Sequence, residues 1–318
     1  MTLRARPPVT ADAAAVVVIG NAFERALAAD EADEWTETEV RREWGELDDP
    51  ARDAWLVERD GVPAGYATLI DPGEGVIEAD GYVHPDHAGH GVGGCIVALT
   101  EGRAAELADA SAEPRIVLRN TVLHADAAAR ALLEAHGYRP VRSLLRMRID
   151  LDVPPPPPRW PDGVVVAPFR PGADDAAVHD CLEETFAEEW THVTETLEEW
   201  RERKFADPRF DPDLWLIARD ADEVCGIALC TPGQFGMGFV NSLGVRASWR
   251  GRGLGLALLH GAFGLFWARG ESRIGLGVDS ENPNDAQRLY ERAGMRAAYR
   301  ADIYEKVLRE ARADTGGR

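Results

Sequence analysis

The chain repeats itself, and the repeat limits what it can fold into. Trp55-Leu56-Val57-Glu58-Arg59-Asp60, followed by Ala64-Gly65-Tyr66-Ala67, returns about 160 residues later as Trp215-Leu216-Ile217-Ala218-Arg219-Asp220, followed by Cys225-Gly226-Ile227-Ala228. Each copy reads as a hairpin of two apolar strands joined by a charged turn. A glycine-rich turn comes next, His84 to Gly93 in the first half and Arg246 to Gly255 in the second, and each opens an apolar helix. Then come a strand (115–118 and 273–278), a short helix stopped by Gly137 or Gly294, and a closing strand (144–149 and 302–307).

Each half also opens with a helical, acidic region, which in the second half runs from Ala177 to Phe205. The order is strand, helices, antiparallel strands, helix, strand, helix, strand, a mixed α/β pattern occurring in tandem. A chain of 318 residues is long enough for two such domains with ordinary cores. Pro154-Pro155-Pro156-Pro157-Pro158 can join neither a helix nor a central strand, so it reads as a stiff connector. The expected division is 1–153, a linker at 154–158, and 159–318.

One stretch concentrates chemistry. Asn241-Ser242-Leu243-Gly244-Val245 reads as a strand leading into Arg246-Ala247-Ser248-Trp249-Arg250-Gly251-Arg252-Gly253-Leu254-Gly255, and a helix follows. Such a turn aims backbone N–H groups at one spot, and the helix adds its own unpaired N–H groups and the positive end of its dipole. Arg250 and Arg252 add charge, so the stretch reads as a phosphate site. The rival is a dinucleotide fold with Asp279 on the ribose. It is disfavoured because Gly251-x-Gly253-x-Gly255 lacks the G-x-G-x-x-G spacing and too little chain follows.

Arg250-x-x-Gly253-x-Gly255 resembles the pyrophosphate loop of the GNAT acetyltransferase superfamily. Asn282-Pro283-Asn284-Asp285-Ala286-Gln287-Arg288-Leu289-Tyr290 is similar to the later Asn…Ala…Leu-Tyr signature of that family. The resemblance covers nearly the whole chain, and among tandem members the layout is similar to the mycothiol synthase family. It implies two GNAT-type acyl-CoA N-acyltransferase domains and acetyl transfer from acetyl-CoA to a primary amine of a small molecule. It implies that Leu243, Gly244, Val245, Arg250, Gly251, Arg252, Gly253, Leu254, Gly255 and Asn282 contact acetyl-CoA, and that Tyr290 is the general acid for the departing thiolate.

The first half departs from the pattern. Ala88 stands where Arg250 would be and His90 where Arg252 would be; Leu133 takes the tyrosine position and Ala125 the asparagine position. Leucine cannot donate a proton, so the second half is expected to be catalytic and the first a structural partner. The second-half strand carries no carboxylate to act as base. Glu188, Glu189 and His192 are the base candidates, acting through water; Asn241 can orient a water, and no base is needed if the amine arrives neutral.

Composition excludes some classes. A net charge of −20 argues against nucleic-acid binding and is compatible with a cationic acceptor. No apolar run reads as a membrane span, and no signal core follows the N-terminal arginines, so a cytoplasmic protein is expected. Cys95, Cys181, Cys225 and Cys230 show no metal spacing, and His84, His87 and His90 lie in a turn that the repeat already explains, so no metal is expected. Monomer and homodimer both remain open. The alternatives to a small-molecule acetyltransferase are a non-catalytic acyl-CoA-binding protein and an antibiotic-modifying acetyltransferase.

Overall fold

The charged turns between the repeated apolar runs fold as tight hairpins, with Asp60 and Gly61 at φ 51° and 83° in the first copy and Ala221 at φ 49° in the second. A computed structural model describes residues 2–28, 34–190, 192–282 and 286–310. It divides into two compact units: residues up to Leu144 together with those from Tyr299 on, and residues Leu145–Ala298.

The first unit starts with β1 (Leu3–Arg6), α1 (Ala13–Leu27), α2 (Glu37–Glu46) and the short α3 (Pro50–Asp53). β2 (Ala54–Arg59), β3 (Val62–Gly73) and β4 (Val76–Val83) form an antiparallel meander. α4 (Val92–Ala110) carries the chain across to β5 (Ile116–Leu123), which runs parallel to β4, and α5 (Ala127–Ala135) follows. The second unit repeats the plan after β6 (Arg139–Asp150), with β7 (Val164–Pro168), α6 (Asp175–Phe186), α7 (Leu197–Phe205), β8 (Leu216–Asp220), β9 (Glu223–Gln234) and β10 (Met237–Val245). α8 (Leu254–Ala268) then leads to β11 (Arg273–Asp279), parallel to β10, before α9 (Ala286–Arg292) and β12 (Arg296–Arg309).

The same local signals set the helices in both halves. Thr36 and Thr196 each cap a helix, α2 and α7, and Glu39 and Glu199 reach back to close a capping box. In the second unit Trp200, Phe169, Phe205, Phe210 and Trp215 pack ring against ring beneath α7, and Trp200 is 1% exposed. Truncating such a ring to alanine costs about 3–5 kcal/mol.

The closing strands correct the expected boundary. The first unit's sheet runs β1-β2-β3-β4-β5-β12, and β12 pairs antiparallel with β5 from Ala301↔Leu123 to Arg309↔Ile116. The second unit's sheet runs β7-β8-β9-β10-β11-β6, and it uses residues 145–150 of β6. Leu151 N–H donates to the Ser272 carbonyl at 2.8 Å, and Met147 is fully buried in the second core. The last strand of each half of the sequence thus serves the unit built from the other half. A division at Pro154–Pro158 misses this, because sequence order does not say which sheet edge a strand joins. Residues 154–158 adopt no helix or strand, and they lie inside the second unit.

Candidate active site

The site in the second unit grows from the way β10 parts from β11. The two strands pair from Gly238↔Ile274 to Val240↔Leu276 and no further among the described residues. A bulge at Asn241 follows, while β10 stays paired with β9 as far as Val245↔Gly226. Residues 241–245 therefore have no paired strand on the side where β11 has left among the described residues, an edge on which an extended ligand can add as a strand does.

The chain then enters a single 3-10 turn, Ala247–Trp249, and a loop whose Gly251 and Gly253 take φ 75° and 86°. These left-handed values favour glycine, and they turn the backbone N–H groups toward the start of α8. Arg250 is exposed and its Nε donates to the Val245 carbonyl at 3.1 Å; Arg252, also exposed, lies over the Trp249 ring at 4.5 Å. Leu254 is buried beneath them. An anion at this loop would meet helix N–H groups and two exposed guanidinium groups.

α9 sits against the same place because Gly255 is small. A Cβ there would lie 3.1 Å from Leu289 Cδ2 and 3.7 Å from Val245 Cγ2. That packing holds Tyr290, 7% exposed, near the parted strands. Its phenol is pushed above the usual tyrosine range by burial and by the charge of Glu189, so it is a protonated donor at neutral pH. Glu189 is raised by burial and by Asp279, and its Oε1 accepts from Asn282 Nδ2 at 2.9 Å. The structure therefore gathers Tyr290, Glu189 and Asn282.

The three base candidates differ in their surroundings. Glu188, Glu189 and His192 all fall between α6 and α7 rather than on a helix. Glu188 is exposed to solvent. His192 Nε2 lies 3.2 Å from Glu183 Oε2, and both residues line a cavity of about 400 Å³ with Ser242, Phe186, Trp200 and Lys204. Asn241 was expected to orient water in the site. Instead it is exposed, and its amide donates to Gln234 Oε1 at 2.8 Å. The bulge shifts the alternation by one residue, so Ser242 faces the cavity in its place. Nothing in the sequence announces that shift. Gly244 is required by α6, since a Cβ there would lie 2.5 Å from Thr185 Oγ1.

The first unit keeps the turn and loses its charge. Gly89 and Gly91 take φ 75° and 80°, and Gly91 caps α4 as Gly253 caps α8. His90 Nδ1 lies 2.8 Å from the Ala88 carbonyl, and Leu133 is buried in the core. β4, unlike β10, carries carboxylates, Glu78 and Asp80.

The sequence pattern of the acetyltransferase (GNAT) family matches residues 21–138 and again 176–295, so the chain belongs to that family, with the family's fold in tandem. It is similar to a mycothiol acetyltransferase of Kineococcus radiotolerans, 37% identical over 252 residues that cover 75% of this chain and 76% of that one. A mycothiol acetyltransferase of Salinispora arenicola is 34% identical over 307 residues, covering 92% of each chain. Among solved structures, a GCN5-related N-acetyltransferase from Sphaerobacter thermophilus matches with a TM-score of 0.85 at 36% identity, over 97% of this chain and 96% of that one. A tandem GNAT protein from the clavulanic acid biosynthesis pathway shares the fold, with a TM-score of 0.69 at 17% identity over 96% of this chain and 99% of that one. The chain is an acetyl-CoA-dependent acetyltransferase.

Proposed function

We propose that the second unit transfers the acetyl group of acetyl-CoA to a primary amine of a small molecule bound in the cavity beside α6 and α7. The observation that carries this reading is the packing of Leu289, the neighbour of buried Tyr290 on α9, against Gly255 of the arginine–glycine loop. The residues present fit acetyl-CoA. Gly251, Gly253, Leu254, Gly255 and the two arginines offer N–H groups and charge to its phosphates, and Leu243, Gly244 and Val245 offer a free strand edge to its pantetheine arm. When bound, it supplies an activated thioester.

The chain's own groups do the rest. An N–H near Val245 polarises the carbonyl oxygen, a contribution of roughly 3 kcal/mol for one such donor. The amine must lose a proton to attack. His192 takes it on Nδ1, its Nε2 lying 3.2 Å from Glu183 Oε2 in the manner of a carboxylate-oriented imidazole. Tyr290 gives its proton to the leaving sulfur. Glu189 anchors Asn282, and its negative charge keeps Tyr290 protonated until then.

Two variants test these roles by turnover and pH. Tyr290→Phe should lower kcat by roughly a hundredfold or more while acetyl-CoA still binds. His192→Asn should lose a similar factor at neutral pH and regain most of it as the pH approaches the pKa of the amine, when no base is needed. Unchanged kcat in Tyr290→Phe would remove the acid role. A His192→Asn deficit independent of pH would remove the base role.

A further inference from the structure

We propose that Lys204 receives an acidic group of the acceptor, so that the molecule acetylated is an amine that also carries a carboxylate or phosphate. The proposal rests on reading the α6–α7 cavity as the acceptor site. The chain has two lysines. Lys306 pairs with Glu101 at 2.9 Å. Lys204, near the end of α7, lines the cavity and has no hydrogen bond or ion pair among the described residues.

The other permanent cation of that cavity already has a partner. Arg203 pairs with Glu195, and His192 with Glu183. Asp207, the other carboxylate near Lys204, is held by Arg209 at 2.9 Å. Trp200 lines the same cavity, and its buried indole N–H has no partner. The cavity therefore holds one unmatched cation and one unused donor.

Burial carries a cost here. It lowers Lys204 to about 8; Arg203 lowers it further, while Glu195 and Asp207 raise it. An ammonium in such a place gains from a counter-charge that enters with the ligand, and a hydroxyl cannot supply that charge. Lys204 and Trp200 would then hold the acidic end, with the amine end at His192 and Glu183. Recognition of both ends would separate zwitterionic acceptors from plain polyamines or uncharged amino sugars.

The pair of lysines makes the test direct. Protein labelled with 13C at the lysine ε-carbon gives two lysine signals, and Lys204→Gln assigns them. In the free protein the Lys204 signal should titrate near 8. Saturating acetate or inorganic phosphate should move that midpoint up by about one unit or more. The acetate and phosphate arms show which acid fits. A midpoint near the ordinary lysine value of about 10.4, or one indifferent to both anions, would overturn the proposal.

A kinetic arm compares amino acids and amino phosphates with their uncharged amides and esters. Lys204→Gln should raise KM about tenfold for the acid-bearing amines, leaving their kcat and the KM of the uncharged partners in place. An equal loss on both sets would mean a structural role and would also overturn it. An anion-responsive Lys204 with no amine turned over supports the anion site and counts against the acceptor reading of the cavity.

Discussion

Single side chains in the two units have been spent differently. In the first unit Glu43 lies under β3, where Tyr66 Oη and Thr68 Oγ1 each donate to it at 3.1 Å, and Trp44 Nε1 donates to Tyr66 at 2.8 Å. Asp80, open to solvent on one side, is pushed up to about 6 by the surrounding protein and by the charges of Glu43 and Glu78. The folded chain therefore holds that proton more tightly than the unfolded chain, whose aspartate titrates near 3.8. Between about 4 and 6 the folded state binds more protons, and its stability falls as pH rises through that window. Asp80→Asn removes the cost of charging. Relative to the parent, the variant should gain on the order of 1 kcal/mol between pH 4 and 7, well short of the full linkage value because water reaches the carboxylate. Urea unfolding at the two pH values measures it, and a stability difference that does not change with pH would contradict the account.

At the residue scale the sequence was informative where chemistry needs a rare pattern. Arg250, Gly253 and Gly255 stood out because glycines and cations at that spacing, after a strand and before a helix, read as a phosphate loop. Tyr290 stood out by its resemblance to the Asn…Ala…Leu-Tyr signature of the family. The cavity residues did not. Lys204, Glu183, Trp200 and Ser242 come from three elements, and only tertiary packing brings them together. Asn241 misled because a bulge changes which face a side chain takes, and no residue type marks this bulge.

Among the elements, the hairpins, the βαβ crossovers and the capped helices follow from alternation, glycine turns and the Thr-x-x-Glu signal. The partners of the closing strands do not. β12 lies against β5, where Lys306 reaches Glu101 and Arg119 donates to Glu305 Oε1 at 2.9 Å, and Tyr304 is buried in the first core. Residues 145–151 of the first half contribute Leu145, Met147, Ile149 and Leu151 to the second core. A strand of the same length and polarity could close either sheet, and the sequence does not distinguish them. The consequence is measurable. Fragments 1–153 and 159–318, expressed apart, should each lack an edge strand of the sheet they would have to complete, expose apolar surface and fail to unfold cooperatively. Mixed together, they should recover circular dichroism and turnover. Independent cooperative folding of either fragment would show that the strands are not exchanged.

For the molecule as a whole, the tandem arrangement pairs one unit whose glycine loop carries two arginines with one that keeps only the glycine turns. Gly89 and Gly91 reproduce the turn of Gly251 and Gly253 almost angle for angle, yet Ala88 and His90 stand in for the arginines. The sequence made that asymmetry visible, and the paired glycines take similar φ angles while the charges beside them differ. Tyr290 has a leucine, Leu133, as its counterpart. A chain built this way should bind acetyl-CoA once. Calorimetry with acetyl-CoA on the intact protein and on Arg250→Ala tests that claim most directly. The account predicts one site per chain, weakened about tenfold or more in Arg250→Ala with its fold intact. Two sites of similar strength, or one site indifferent to Arg250→Ala, would place acetyl-CoA in the first unit and contradict it.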